Sequence, residues 1–328
     1  MKTMQRIAVS ALALGLVFAT GCKRHSLKET YYLVTNNVNL PYWQTASSGF
    51  LHAGAQLGVT VQVVGPETYD PQGELEALKK AVAAKPSGIL ISVPDVAVLQ
   101  PEIDAAIEAG IPVITMDSDA AGSKRLFFIG TNNLEAGRMG GRRLAEKMGG
   151  KGNVVFFTLS DQTNTEERLK GFKDALATEP NIHIADVVDI KGDPRVAFDK
   201  TEEYLALTGA KKIDAFVCLE ASAGKQVAEV VRRLNTKDRT VITWDVDPDV
   251  LDAIKSGVVD ATIAQKPYTM GYYGLKVLDE VYHDPPKTLD KDYAADLFSP
   301  YPVFIDTGTA VVDKDNVDKF MAAAAQNK

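Results

Sequence analysis

The chain reads as an α/β protein of two doubly wound parallel-sheet lobes joined by a three-strand hinge. Three observations predict this. Short apolar runs alternate with helical patterns through most of the sequence, as parallel strands with crossover helices do. The stretch 240–271, TVITWDVDPDVLDAIKSGVVDATIAQKPYTMG, holds one complete βαβ unit with polar side chains at both strand ends. The length of 328 residues, at ~100–200 residues per domain, suggests two domains.

The first element is a targeting signal over 1–21. Lys2 and Arg6 form its basic region, and the apolar core 7–18 is shorter than the ~20 residues of a comfortable membrane span. Ala19-Thr20-Gly21-Cys22 then places a Cys directly after Gly, and resembles a bacterial lipoprotein processing site. That resemblance implies a lipid on Cys22, a polar tether over 22–30, and membrane attachment through the lipid alone. With Cys22 so assigned, no disulfide framework remains, because Cys218 is the only other cysteine and lies in an apolar run.

Beyond the tether, strands are expected at 31–35, 59–64, 88–92, 112–116 and 126–129 in one sheet. A second sheet takes 153–158, 183–188, 215–219, 241–244 and 258–264. Helices between them carry clear apolar faces: Leu75, Leu78 and Val82 on one, Leu169, Phe172 and Leu176 on another, and Val227, Val230, Val231 and Leu234 on a third. Gly130-Thr131-Asn132, Gln265-Lys266 and the segment 303–306 are the expected crossings between lobes. The N-terminal lobe is therefore 31–131 with 266–304, and the C-terminal lobe is 132–265 with 305–328. Three crossings make a hinge that bends without sliding.

In the 240–271 unit the first strand stops at Asp245. Asp247 can cap the following helix, Pro248 suits its first position, and Gly257 can end it. The second strand ends on Gln265. Open α/β sheets bind ligands at such strand ends. This stretch, with IPVITMDSDA and ERLKGF, resembles the periplasmic monosaccharide-binding proteins of the ribose/galactose type, whose ligand domain also occurs in LacI-type regulators. The similarity runs over 31–281 and implies the type I periplasmic binding protein fold.

A sugar presents vicinal hydroxyls and an apolar C–H face. Its site needs carboxylates or amides to accept hydroxyl protons, an Arg to donate, and flat aromatics against the ring. Asp117 ends the strand PVITM, and Arg168 stands in the first turns of a helix opening with a capping-box pattern, Thr163-x-x-Glu166. The resemblance implies that Asp117, Arg168, Asp245 and Gln265 bind hydroxyls, and that Tyr42 and Trp43, expected in a loop after the first strand, flank the ring. Asn36, Ser118 and Glu220 complete the expected ligand-binding set. Ser118 stands where the ribose-type pattern has Arg; Leu40, Val93 and Leu219 replace Asn; Asp193 stands where an aromatic is common. These departures point away from ribose itself, toward a small neutral sugar or polyol.

Other classes are disfavoured. No GxSxG, Walker A, GxGxxG after a strand or HExxH is present, so neither an enzyme nor a cofactor site is expected. His25, His52, His183 and His283 lie far apart without metal-ligand spacing, and no metal site is expected. The net charge of −7 invites no nucleic acid, and no helix-turn-helix pattern precedes the ligand domain. The expected function is that of a monomeric, extracytoplasmic, membrane-anchored solute-binding lipoprotein that serves an ABC permease. A sugar-sensing adaptor presenting bound ligand to a membrane receptor is the alternative.

Overall fold

The structure, a computed structural model, describes residues 25–326. It contains two α/β lobes, each built on a six-stranded sheet. The first sheet comprises β1 (Thr30–Val34), β2 (Thr60–Val64), β3 (Gly88–Ile91), β4 (Val113–Met116), β5 (Phe128–Gly130) and β11 (Phe304–Asp306). The second comprises β6 (Lys151–Thr158), β7 (Asn181–Asp189), β8 (Ala215–Cys218), β9 (Thr240–Trp244), β10 (Ala261–Ala264) and β12 (Ala310–Asp313). Their orders are β11-β5-β4-β3-β1-β2 and β12-β10-β9-β8-β6-β7, so the lobes repeat one arrangement. All pairings are parallel except that of β12 with β10.

Sequence chemistry accounts for the local structure. β3, β4, β8 and β10 are buried at every position, as strands covered on both faces should be. Helices Pro71–Ala83 and Val96–Glu108 start at Asp70 and Asp95, whose carboxylates accept from the N–H groups of Gln72 and Val98. Helix Pro248–Ser256 starts at Asp247 and ends at Gly257, whose φ of 78° suits glycine. Two expectations fail at helix ends. Leu234 lies beyond helix Ala221–Arg233 and is exposed, because the helix ends one residue earlier. The Thr163-x-x-Glu166 capping box does not form: Gln162 holds the cap position, and Thr163, already helical, donates its hydroxyl to the Asp119 carbonyl of the other lobe at 3.0 Å.

The chain passes between the sheets three times. After β5 it crosses at Thr131-Asn132, and after β10 it returns at Gln265-Lys266 into helix Pro267–His283. Met270, Leu275, Leu278 and Val281 of that helix join the core of the first lobe. The last passage follows β11. Ile305 and Asp306 pair with Ile129 and Gly130 of β5, so the chain leaves the first sheet at 307–309, later than the boundary drawn after 304. β11 and β12 escape the sequence reading because they are three and four residues long and half-exposed. The crossings are bonded together: Thr131 Oγ1 donates to Gln265 Oε1 at 2.8 Å, and the Thr307 N–H donates to the Gly130 carbonyl at 2.8 Å.

Each lobe also repeats one helix contact. The helix that enters the lobe from the hinge lies against the helix that follows its first strand, backbone to backbone. A Cβ on Gly137 or Gly171 would overlap the carbonyl oxygens of Arg168 and Leu134, and one on Gly49 or Gly271 would overlap those of Tyr268 and Ala46. Gly171→Val should therefore force helices Asn133–Met148 and Thr163–Leu176 apart, at a cost of about 1–3 kcal/mol or more. Denaturant unfolding checks this; an unchanged midpoint would show that the helices do not need this approach.

Candidate functional site

The carboxyl ends of the two sheets face each other, and their equivalent strands present equivalent residues. Asp117 follows β4 and Asp245 follows β9, with φ of 63° and 67°. A left-handed backbone at a residue with a Cβ is uncommon, and Asp is among the side chains that tolerate it. The same kink turns a carboxylate from each lobe into the space between them. Both are buried, at 5% and 7% exposed.

Arg168 joins the two sides. It is 2% exposed and projects from the second turn of helix Thr163–Leu176. Its Nε donates to Asn133 Oδ1 at 2.9 Å, Nη1 to the Leu219 carbonyl at 2.8 Å, and Nη2 to Gln265 Oε1 at 3.0 Å. Nη2 also lies 3.9 Å from Asp117 Oδ1, and the guanidinium stacks 4.4 Å over the ring of Trp244. Gln265 in turn donates through Nε2 to Asp245 Oδ1 at 3.0 Å. Asn164 Nδ2 donates to Asp117 Oδ2 at 3.1 Å, and Tyr42 donates its hydroxyl to Asp117 Oδ1 at 2.7 Å.

Most of the residues expected from sequence meet here. Asn36, Tyr42, Trp43, Asp117, Arg168, Glu220, Asp245 and Gln265 line one cavity of about 250 Å³. That is below the ~300–1,000 Å³ of sites for drug-sized ligands and suits a smaller one. Ser118 is not among the lining residues; it is fully buried, and its hydroxyl has no partner among the described residues. Tyr42 and Trp43 are not in a loop. Pro41 fixes the first position of helix Pro41–Leu57, which places both aromatics in its first turn, edge to face at 5.1 Å. Glu220 has two roles: it lines the cavity and caps helix Ala221–Arg233, accepting from the N–H groups of Ser222 and Ala223 at 2.6 and 2.5 Å. In the DSD triplet the structural aspartate is Asp119, held by Arg125 through two bonds of 2.6 and 2.5 Å. Cys22 lies outside the described residues.

Sequence reasoning missed several contributors. Gln162, Asn164, Tyr69 and Lys225 line the cavity, and Asn133 and Trp244 hold Arg168. Tyr69 comes from the first lobe and packs among apolar residues of the second. A Cβ on Gly192 would overlap its ring, so Gly192 leaves room for an aromatic just before Asp193, which instead caps helix Pro194–Leu205. Asn164 and Asn133 carried a weak signal, as polar residues at the starts of helices that point toward the cleft. Tyr69 carried none, since its partner is in another lobe.

Burial controls the electrostatics. It raises the Asp117 carboxyl above the ordinary range, against the pull of Arg168 and the Tyr42 hydroxyl. It raises Glu220 too, against the helix N–H groups and Arg168. Asp245 is pushed up to about 7 by burial, opposed by Arg168 and the Gln265 bond and reinforced by Asp117 and Glu220. The arrangement offers carboxylates and amides as acceptors, a fixed guanidinium as donor, and aromatic rings: the chemistry for holding a compact polyhydroxylated molecule.

The chain belongs to the periplasmic binding protein family: residues 31–283 match the family described as periplasmic binding protein domain. Its relatives there are ribose-type sugar-binding proteins. The ribose import binding protein of Haemophilus influenzae is 26% identical over 274 residues, 83% of this chain and 91% of the relative. Among solved structures, an arabinose-binding protein from Geobacillus stearothermophilus shares 33% identity at a TM-score of 0.74, covering 89% of this chain and 99% of that one. A glucose-galactose-binding protein from the same organism shares 30% at 0.79, covering 88% and 98%.

A hydroxyl donating to Asp245 would need the carboxylate, whereas burial favours its protonated form as pH falls through about 7. Affinity should therefore fall roughly tenfold from pH 8 to pH 6, and Asp245→Asn should bind more weakly and lose this dependence. Calorimetry across that range checks it; a flat profile for the unmodified protein would overturn the assignment of Asp245 as an acceptor.

Proposed function

We propose that the protein is an extracytoplasmic solute-binding protein that closes its lobes on a neutral monosaccharide or polyol and delivers it to an ABC permease without altering it chemically. The observation that carries this reading is the pair Asp117 and Asp245, presented from equivalent strand ends of opposite lobes and joined through Arg168 and Gln265 around one small cavity. What the relatives bind, ribose, arabinose, and glucose with galactose by their names, supports a sugar. A sensing adaptor would use the same site and differ only in the membrane partner that reads the loaded form.

Charge favours a neutral ligand. Three carboxylates, Asp117, Glu220 and Asp245, face two cations, Arg168 and Lys225, and Arg168 is already committed to protein acceptors. A ligand carboxylate would add a like charge to a desolvated cleft. In matched pairs such as galactose with galacturonate and xylose with xylonate, the neutral member should bind at least about tenfold tighter, equivalent to ~1.4 kcal/mol. Tighter binding of the acid throughout the panel would sink the reading.

Attachment through lipid on Cys22 is part of the proposal and rests on the Gly21-Cys22 junction after a short apolar core. A buried acyl chain contributes ~0.8 kcal/mol per CH₂, and lasting attachment takes more than one chain. Cys22→Ser should move the protein from the membrane fraction to the soluble one and abolish labelling by a palmitate analogue. Retention of both would refute the anchor.

A further inference from the structure

At the opposite end of the first lobe from the cleft, the fold brings together residues that are remote in sequence. His25 and Glu29 lie in the segment that leads into β1, and Asp279 and His283 lie in the last turns of helix Pro267–His283. That helix starts at the hinge and rises for 17 residues, about 25 Å. Asp279 and His283 are four apart, which puts them on one helix face. The sequence reading, which expected no metal site because the histidines are far apart, is corrected on the placement: the His25 and His283 rings meet edge to face at 5.0 Å.

The donor atoms converge. His25 Nε2 is 2.9 Å from Asp279 Oδ2, His283 Nε2 is 3.5 Å from Asp279 Oδ1, and His283 Nε2 is 3.0 Å from Glu29 Oε2. One ligand atom from each of His25, Asp279 and His283 lies within 4.8 Å of the others. Bonds of ~2.0–2.2 Å to a tetrahedral zinc ion set neighbouring nitrogen and oxygen donors about 3.3 Å apart, and the spacings of the two histidines from Asp279 bracket that value. Both carboxylates are buried, and among the described residues their ion-pair partners are these two histidines, with no lysine or arginine. The Tyr31 hydroxyl donates to Asp279 Oδ1 at 3.2 Å, the kind of outer bond that orients a metal-binding carboxylate.

We propose that His25, Asp279 and His283 form a three-residue site for a divalent transition-metal ion of the zinc class, with Glu29 beside His283. Two imidazoles with a carboxylate suit such an ion, whereas calcium and magnesium prefer oxygen donors throughout. The ion would clamp the segment ahead of β1 onto the lobe. That segment is already fastened by Thr60, whose hydroxyl donates to the Leu27 carbonyl at 2.7 Å and whose N–H donates to the Glu29 carbonyl at 2.9 Å. The proposal is independent of the ligand that the cleft binds.

The test uses the tag-free full chain, stripped with a chelator and titrated with zinc chloride in competition with a chromophoric chelator. One equivalent should bind, and zinc should raise the unfolding temperature. His25→Ala and His283→Ala should each weaken zinc binding by at least about tenfold, while unfolding of the metal-free variants stays cooperative. His25 lies at the edge of the lobe, so its variant keeps the test valid if His283→Ala folds poorly. Absence of stoichiometric zinc binding, or unchanged affinity in His25→Ala, would overturn the proposal and leave a hydrogen-bonded histidine-carboxylate cluster.

Discussion

The guanidinium of Arg168 sets the geometry of the cleft. Taking such a charge out of water costs several kcal/mol unless its donors find partners. Here they find Asn133, the Leu219 carbonyl and Gln265, and Trp244 covers one face. Each partner belongs to a different part of the chain: the helix after the first crossing, the end of β8, the second crossing, and the end of β9. One side chain thereby fixes the hinge, the strand ends of the second lobe and the electrostatic environment of both aspartates.

The two aspartates owe their positions to the repeated architecture. β4 and β9 occupy the same place in their sheets, and the left-handed turn after each aims a carboxylate across the gap. The turn is a local cost that the surrounding packing maintains, as is common at ligand sites. Burial adds a second tension. Because the folded value for Asp245 lies above the ordinary carboxylate range, the stability that its neutral form contributes to the fold is fully present below ~3.9 and is lost as pH rises through 7.

Away from the hinge the lobes meet through polar contacts and through an aromatic ring. Thr163 reaches the Asp119 carbonyl, Asn164 reaches Asp117, and Tyr69 lies beside Gly192. The hinge is secured by bonds from the first crossing to each of the other two.

The two-lobe plan was legible in the chain because it depends on local rules. Fully apolar runs mark strands covered on both faces, and caps such as Asp247 with Gly257 mark helix limits. Polar residues directly after apolar runs, at Asp117, Asp245 and Gln265, locate strand ends, where open sheets take their ligands. The sequence by itself therefore determined the layers and eight of the residues that line the cavity. It did not determine which side chains meet. Trp244 under Arg168, Tyr69 beside Gly192, the withdrawal of Ser118 from the cavity and the convergence of His25 with His283 all join segments tens to hundreds of residues apart. Periodicity and capping report only a residue's own neighbourhood. Contacts between distant segments arise from how sheets and helices pack, so only the tertiary structure decided them.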